Sequence, residues 1–465
     1  MDRNVLELQH VTRELPNGGL VLILNTGALI GPEAEAMVQA LHSRSPNGIR
    51  EHMKILAQKG PEKFMQSFYV GYGHKSIGDC GTTTIFVEGV SMLVAKAIQD
   101  WLLYSGQEAS TRYIDFSSQR FVDPLDLPGS GEIHEAWRTF YLTSQEPVRA
   151  HLRECFPRKD EEDAKVYEKA INARSFDILR GFLPAGASTN LAWHTNLRQA
   201  ADKLALLRHH PLTEVQVVAE AIESALQEAF PSSFGHKRYE ATEEYQRNWM
   251  HEHYFQGTKH YAVRHNGSIR VPHTGVVLVR GSIDKGALEE YKVFLATRPP
   301  KTELPKQVAE CGTMQFGFFI DFGSFRDIQR HRSVMQRMPL LSGDFGMHPW
   351  YLESLPEKVR RQAEILIHRQ LDAIDTLPRD KFVRQYYFPM GMCVPCRLTG
   401  DLSALVYLVE RRAQKDVHPT LHEVALEIAD ELTKQFGEFG LTLYVDREKG
   451  RFDIKRGLQD IVEKK

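Results

Sequence analysis

Asp79-Cys80-Gly81-Thr82 leads into Thr83-Thr84-Ile85-Phe86-Val87-Glu88-Gly89-Val90-Ser91, and much later Glu310-Cys311-Gly312-Thr313 leads into Met314-Gln315-Phe316-Gly317-Phe318-Phe319-Ile320-Asp321. An acidic residue, Cys, Gly and Thr open each run, and an apolar, aromatic-bearing stretch follows. Alternation of polar and apolar residues predicts strands around Thr82–Val87 and Thr313–Ile320. Apolar residues at helical spacing then predict helices over Ser91–Tyr104 and Phe322–Val334. A repeat of this kind decides the architecture, because two copies of one unit fold as two similar domains.

The correspondence continues downstream. Arg180-Gly-Phe-Leu-Pro184 leads through a Gly/Ala/Ser/Thr segment into Asn196-Leu-Arg198 and a helix ending near Arg208. Gln385-Tyr-Tyr-Phe-Pro389 leads through a similar segment into Asp401-Leu-Ser403 and a helix ending near Arg411-Arg412. A His-Pro pair follows each time, His210-Pro211 and His418-Pro419, and then an amphipathic helix, Glu214–Phe230 or Leu421–Phe436. The first copy carries an insertion around Asp123–Lys165, read as a loop followed by helices. The boundary falls near Pro231–Glu243, which gives domains of 1–235 and 236–465. Strands alternate with helices in both copies, so the expected fold is mixed α/β (α+β) in two tandem domains.

The 465 residues carry a formal net charge of -2, 42% hydrophobic and 25% charged side chains. That balance suits a globular protein with a real core. It offers no global basic field for nucleic acid, so any anion must be recognised by a local cluster. The N-terminal stretch lacks the pattern of a signal peptide, and no apolar run is long enough to span a bilayer. A cytoplasmic protein without membrane or nucleic-acid partners is expected. Five cysteines make no disulfide framework, and one Cys393-Val-Pro-Cys396 pair without further ligands predicts packing thiols rather than a metal or redox site.

Two segments carry chemistry. Ser105–Tyr113 packs hydroxyls, Glu108 and Arg112 into a short stretch able to bind an anion; on local chemistry alone it reads more readily as a polar helix-terminal turn with a surface Glu108–Arg112 pair. Arg330-His331-Arg332 sets three donors side by side for an acceptor-rich ligand; it reads equally as a basic helix face neutralised by Asp321 and Asp327.

Together these motifs resemble the flavin-dependent thymidylate synthases. In that family a Gly-His-x-Ser/Thr-x-x-Glu segment precedes an Arg-His-Arg. After seven intervening residues comes Ser-x-Arg-Tyr, with a Glu two residues before the Ser, and then Arg-x-x-Leu-Pro, Asn-x-Arg and Leu-Arg. The first copy matches with Gly73-His74-Lys-Ser76-Ile-Gly-Asp79, Glu108-Ala-Ser110-Thr111-Arg112-Tyr113, Arg180 to Pro184, Asn196-Leu-Arg198 and Leu207-Arg208. It has Asp100-Trp101-Leu102 where Arg-His-Arg belongs. The second copy has Arg330-His331-Arg332, but Met338, Leu340 and Ser342 replace the Glu, Ser and Arg, and Asp401-Leu-Ser403 replaces Asn-x-Arg.

In this family the nucleotide site is built from two subunits, so the resemblance implies a pseudo-dimer within one chain and one complete site from complementary halves. Glu108, Ser110, Thr111, Arg112, Arg180 and Asp327 would bind the substrate dUMP, with Arg112 and Arg180 on its phosphate. Arg330 and Arg412 would act on the pyrimidine as catalytic groups. Ser76, Asn196, Arg198, Asp202, Arg330, His331 and Arg332 would hold FAD. The choice of Arg412 over Arg411 rests on helix register. Asp327 stands where the family has Gln, and Asp79 where it has Glu. The implied reaction is reductive methylation of dUMP to dTMP with methylenetetrahydrofolate and NADPH, and a homodimer of this chain would rebuild the family's tetramer. Two alternatives stay open: a flavin- and nucleotide-binding paralogue without turnover, and an enzyme modifying C5 of another pyrimidine nucleotide.

Overall fold

In the computed structural model, residues 10–24, 31–42, 49–71, 75–109, 116–255, 264–265, 268–269 and 275–448 are described. The fold is mixed α/β with two separate sheets. The first contains β1 (His10–Glu14), β2 (Leu20–Leu24), β3 (Thr82–Ser91), β4 (Ser105–Glu108) and β5 (Ser188–Asn196), in the antiparallel order β1-β2-β3-β5-β4. A short hairpin of β6 (Arg264–His265) and β7 (Ser268–Ile269) follows. The second sheet contains β8 (Val277–Gly281), β9 (Thr313–Asp321), β10 (Met335–Arg337) and β11 (Cys393–Asp401), in the order β10-β11-β9-β8.

Apart from β1, the two sheets have one topology. The order β2-β3-β5-β4 matches β8-β9-β11-β10, and every neighbouring pair is antiparallel. Even the register agrees, since Thr82 pairs with Asn196 and Thr313 with Asp401. Each central strand runs straight into a helix whose N-cap is the strand's own last residue. Ser91 accepts from Val94 N, Asp321 from Ser324 N, Asn196 from Gln199 N and Asp401 from Ala404 N. Such a cap stabilises a helix by about 1 kcal/mol, and here it also fixes where the chain turns from strand to helix. Gly312 makes the entry to β9 possible: at φ 128, a Cβ would stand 2.3 Å from the Ser282 carbonyl oxygen.

The chain forms two compact units that are not continuous in sequence. One comprises 1–114, 119–124 and 186–254; the other comprises 115–118, 125–185 and 255–465. Within the first unit the helix Thr213–Ala229 packs across β1 and β2, and Ile85, Val87, Leu191 and Trp193 supply the buried face of the sheet. Within the second, Pro419–Phe436 packs on β9 above Phe316 and Ile320, both 0% exposed. Full burial of one such side chain is worth about 1.5–3 kcal/mol.

The insertion of the first copy forms two helices, Pro128–Cys155 and Ala164–Leu179, and both belong to the second unit. There the two Pro-containing loops pair with each other. Ala185 N donates to Phe388 O at 2.9 Å and Met390 N to Leu183 O at 2.8 Å, around a Pro184–Pro389 bridge. The two hydrogen bonds mirror one another across the antiparallel bridge.

Several boundaries differ from the sequence reading. The helices after β3 and β9 stop at Gln99 and Gln329, because the chain must turn there to add β4 and β10 to the sheet edge. Arg330-His331-Arg332 is consequently a turn at a helix C-terminus and not a helix face. Ser105–Glu108 is a strand rather than a turn. Cys393 and Cys396 lie buried on β11 and are in no disulfide. Burial and then the nearby Asp321 push the Cys393 thiol up to about 12. No group of side chains suited to a metal ion occurs among the described residues, and no helix among them is long and apolar enough to cross a membrane.

Candidate functional site

The turn after the helix Phe322–Gln329 is pinned from inside the second unit. Gln336 on β10 donates to the carbonyls of His331 (2.6 Å) and Ile328 (3.3 Å). From the end of the helix Leu402–Arg412, Arg412 donates through Nε to His331 Nε2 and through Nη2 to the Asp327 carbonyl, both at 2.7 Å. Arg411 is exposed and takes no part in these contacts. An arginine can only donate, so His331 Nε2 must accept and the ring proton must sit on Nδ1. His331 is 8% exposed, and burial, reinforced by Arg412, drives its pKa down to about 3. The imidazole is neutral, and its Nδ1–H has no hydrogen-bond partner among the described residues.

Asp327 is the electrostatic centre. Burial works against its charge, but Arg330, Arg412, Arg180 and Arg326 outweigh it and hold the carboxyl below its ordinary range. Arg330, exposed, approaches Asp327 Oδ1 to 3.7 Å. Burial, aided by Arg330, lowers Arg326 to about 10. Arg180 is charged as well: burial opposes its charge, and Tyr351, Asp177, Asp327 and Asp321 more than restore it. Its Nε and Nη2 are buried without a hydrogen-bond partner among the described residues. Four guanidiniums gather at the Asp327 carboxylate, with Asp177 and Asp321 also beside Arg180 and Asp416 beside Arg412. Together with the unpaired donors of Arg180 and His331, the guanidiniums can receive an anion with several acceptor oxygens.

The equivalent place in the first unit is filled from within. Lys203, 3% exposed, donates to the Asp100 carbonyl at 2.7 Å and lies over the Trp101 ring. Lys96 stands 3.5 Å from the Asp100 carboxylate and donates to Tyr254 Oη at 3.2 Å. Burial, then Lys96, bring Lys203 down to about 8 against the pull of Asp100. Arg208, the other cation matched by sequence in this copy, is held by Glu243 at 2.6 and 2.9 Å and by Glu223 at 3.5 Å. The cations here already have their counter-ions.

Of the remaining residues singled out by sequence, Ser76, Glu108, Asn196, Arg198 and Asp202 fall in the first unit. Arg198 joins Asp79 (2.8 Å) to Asp202 (3.2 Å), and Asp79 is the main reason its pKa rises. Lys75 reaches Asp202 at 3.4 Å. Asn196 caps the helix that carries Arg198, and Ser76 is exposed on the short helix Lys75–Gly78. Beside them a cleft of about 190 Å³ is lined by Tyr69, Lys75, Arg198, Asp202, Arg208 and His236, among others. Glu108 ends β4 and accepts from Gln99 at 2.7 Å. Ser110, Thr111 and Arg112 lie outside the described residues, as do Gly73 and His74. Arg332 is exposed in the turn.

The structure thus gathers Arg180, Asp327, Arg330, His331 and Arg412 in one unit. It adds Arg326 and Tyr351, which sequence reasoning passed over. Arg326 had a readable signal, a second cation beside Asp327 at the helix end. Tyr351 had none, because its relation to Arg180 exists only in the folded chain.

Residues 29–232 match the family described as Thymidylate synthase complementing protein (Thy1), so a Thy1-like domain is present. The chain is 26% identical over 418 residues to a UPF0159 protein of Chlamydia muridarum (strain MoPn / Nigg), covering 78% of this chain and 76% of that one. It is 25% identical over 422 residues to one of Chlamydia pneumoniae, covering 80% and 78%. A UPF0159 protein of Thermoplasma acidophilum is 22% identical over 438 residues, covering 81% and 87%. The Thy1 match ends before β8, whereas each of these alignments takes in about four-fifths of the chain.

Proposed function

We propose that this chain binds a pyrimidine nucleotide and a flavin, and that it reductively methylates dUMP to dTMP with FAD, methylenetetrahydrofolate and NADPH. The observation that carries the reading is the convergence of Arg180, Arg326, Arg330 and Arg412 on Asp327, with unpaired donors left on Arg180 and His331. Arg180 takes the nucleotide phosphate in a fork of parallel N–H donors. Arg330 and Arg412 face the pyrimidine and stabilise negative charge developing on it, an effect strengthened where water is excluded. Arg412 is aimed by its two hydrogen bonds to the Arg-His-Arg turn, which leaves less of its motion to be frozen on binding.

The chemistry of His331 suits a flavin. A neutral His331 whose Nδ1–H has no partner among the described residues suits an acceptor on an uncharged ring, and the resemblance assigns Ser76, Asn196, Arg198 and Asp202 to the same flavin. When bound, the flavin supplies the hydride chemistry that no side chain provides. The resemblance assigns Glu108, Ser110, Thr111 and Arg112 to the same nucleotide, on a chain that is a tandem duplication with one working set of residues. The filled place around Lys203 and the ion-paired Arg208 support a single set, because cations already neutralised have nothing to offer a second nucleotide.

A second reading follows from Asp327. An ionised carboxylate only accepts hydrogen bonds, whereas the amide of the family's Gln both donates and accepts. This favours a base edge rich in donors, hence another pyrimidine nucleotide or binding without turnover. The test is direct. Purified chain should carry flavin absorbance and release tritium from 5-tritiated dUMP when given methylenetetrahydrofolate and NADPH. Colourless protein that takes up no FAD rejects both readings, and flavin with nucleotide binding but no tritium release leaves only the second. Arg112→Ala and Arg330→Ala should each abolish the activity.

A further inference from the structure

Behind Arg180 lies a buried polar chain with no part in the reading above. Asp321, 0% exposed, accepts from Ser324 N (2.8 Å), Thr420 Oγ1 (2.6 Å) and Tyr351 Oη (2.8 Å). Its charge is therefore fully hydrogen-bonded, as a buried carboxylate must be. Tyr351 is also 0% exposed and interacts with Arg180 as well as Asp321. Its ring packs against the backbone next to Arg180: a Cβ on Gly181 would stand 2.5 Å from Cδ1 and Cε1 of Tyr351. The phenol has one proton, and Asp321, acceptor only, takes it. Toward Arg180 the phenol oxygen can then only accept, and a guanidinium can only donate. The chain runs one way, from Arg180 through Tyr351 to Asp321.

We propose that Tyr351, oriented by Asp321, is the positioning residue that aims Arg180 at the phosphate monoester of the nucleotide. The inference rests on the nucleotide reading above. The guanidinium's Nε and Nη2 are buried without a hydrogen-bond partner among the described residues. Such donors are costly to leave unmet, and two oxygens of one phosphate satisfy them together. Asp321 balances the charge of Arg180 while no anion is bound, so the cation stays in place instead of swinging to water. Thr420, at the start of the helix Pro419–Phe436, steadies Asp321 from the opposite side.

The experiment is calorimetric titration of the full chain with dUMP and with deoxyuridine, which lacks the phosphate, alongside a melting curve. Tyr351→Phe keeps the ring and removes the hydroxyl. It should weaken dUMP binding about tenfold or more, the loss expected when one charge-assisted contact is misaligned, with deoxyuridine binding unchanged. An equal loss for both ligands, or no loss for either, overturns the role given to Tyr351. A wild-type chain that binds dUMP no better than deoxyuridine overturns the nucleotide reading itself. If Tyr351→Phe does not fold, Thr420→Val is read in the same way: a severalfold, phosphate-dependent loss supports the chain from Arg180 to Asp321, and unchanged discrimination overturns it.

Discussion

Replacing Asp327 by Asn removes the negative charge that four arginines share while keeping the side chain's shape. At the 3.7 Å that separates Arg330 Nε from Asp327 Oδ1, the attraction is about 4 kcal/mol at an effective dielectric near 20. Arg330 is half exposed (51%), so solvent screening reduces its share to about 1 kcal/mol or less. Arg180, Arg326 and Arg412 add to this, and the carboxylate's own desolvation offsets part of the sum. A net loss of about 1–3 kcal/mol is expected for Asp327→Asn without ligand, within the range for breaking a charged network.

The same change should make the protein more dependent on anions. With the internal counter-ion gone, inorganic phosphate takes over its role, and at a hundredfold excess over its Kd it would restore about 2.7 kcal/mol. Differential scanning calorimetry of both proteins across a phosphate series measures the effect. Asp327→Asn should melt earlier without phosphate and gain more from it than the wild type. Equal melting temperatures and equal phosphate gains would show that the arginines do not act on Asp327 as one cluster.

Three further outcomes follow. His331 is neutral in the fold with its pKa lowered to about 3 from 6.5, so the unfolded chain binds the proton first and stability falls as pH drops through this window. The loss is about 2–3 kcal/mol between pH 6.5 and about 4.5, and His331→Gln should remove that part of the slope in urea titrations. Lys203 is likewise lowered, to about 8 from 10.5, so stability should rise as pH climbs from about 8 to 10.5. The gain is at most about 3 kcal/mol, and Lys203→Met should flatten it. Finally, iodoacetamide followed by mass spectrometry should label exposed Cys155 quickly and leave buried Cys393 and Cys396 intact while the protein is folded. Rapid labelling at Cys393 would contradict its burial.

Much of this architecture is written locally. The Cys-Gly-Thr openings, the two-residue alternation that follows and the capping residues Ser91, Asp321, Asn196 and Asp401 all act through neighbours a few positions away, so a linear reading recovers two matching strand-and-helix units. The same holds for chemistry carried by adjacent residues, such as Arg330-His331-Arg332. Local periodicity could not tell where those helices end, because the stop at Gln329 is set by the hydrogen bonds that β10 makes with β11.

Tertiary structure alone decided the rest. That Arg412 and not Arg411 meets His331 depends on how the helix Leu402–Arg412 is rotated by its packing. That Arg180, in the first copy by sequence, belongs to the compact unit holding Asp327 depends on the paired loops around Pro184 and Pro389. The charge states of His331 and Lys203 come from burial, which no sequence position carries by itself. Tyr351 and Asp321 behind Arg180 are joined by packing across large sequence separations, and it is there that the fold determines what the arginine can do.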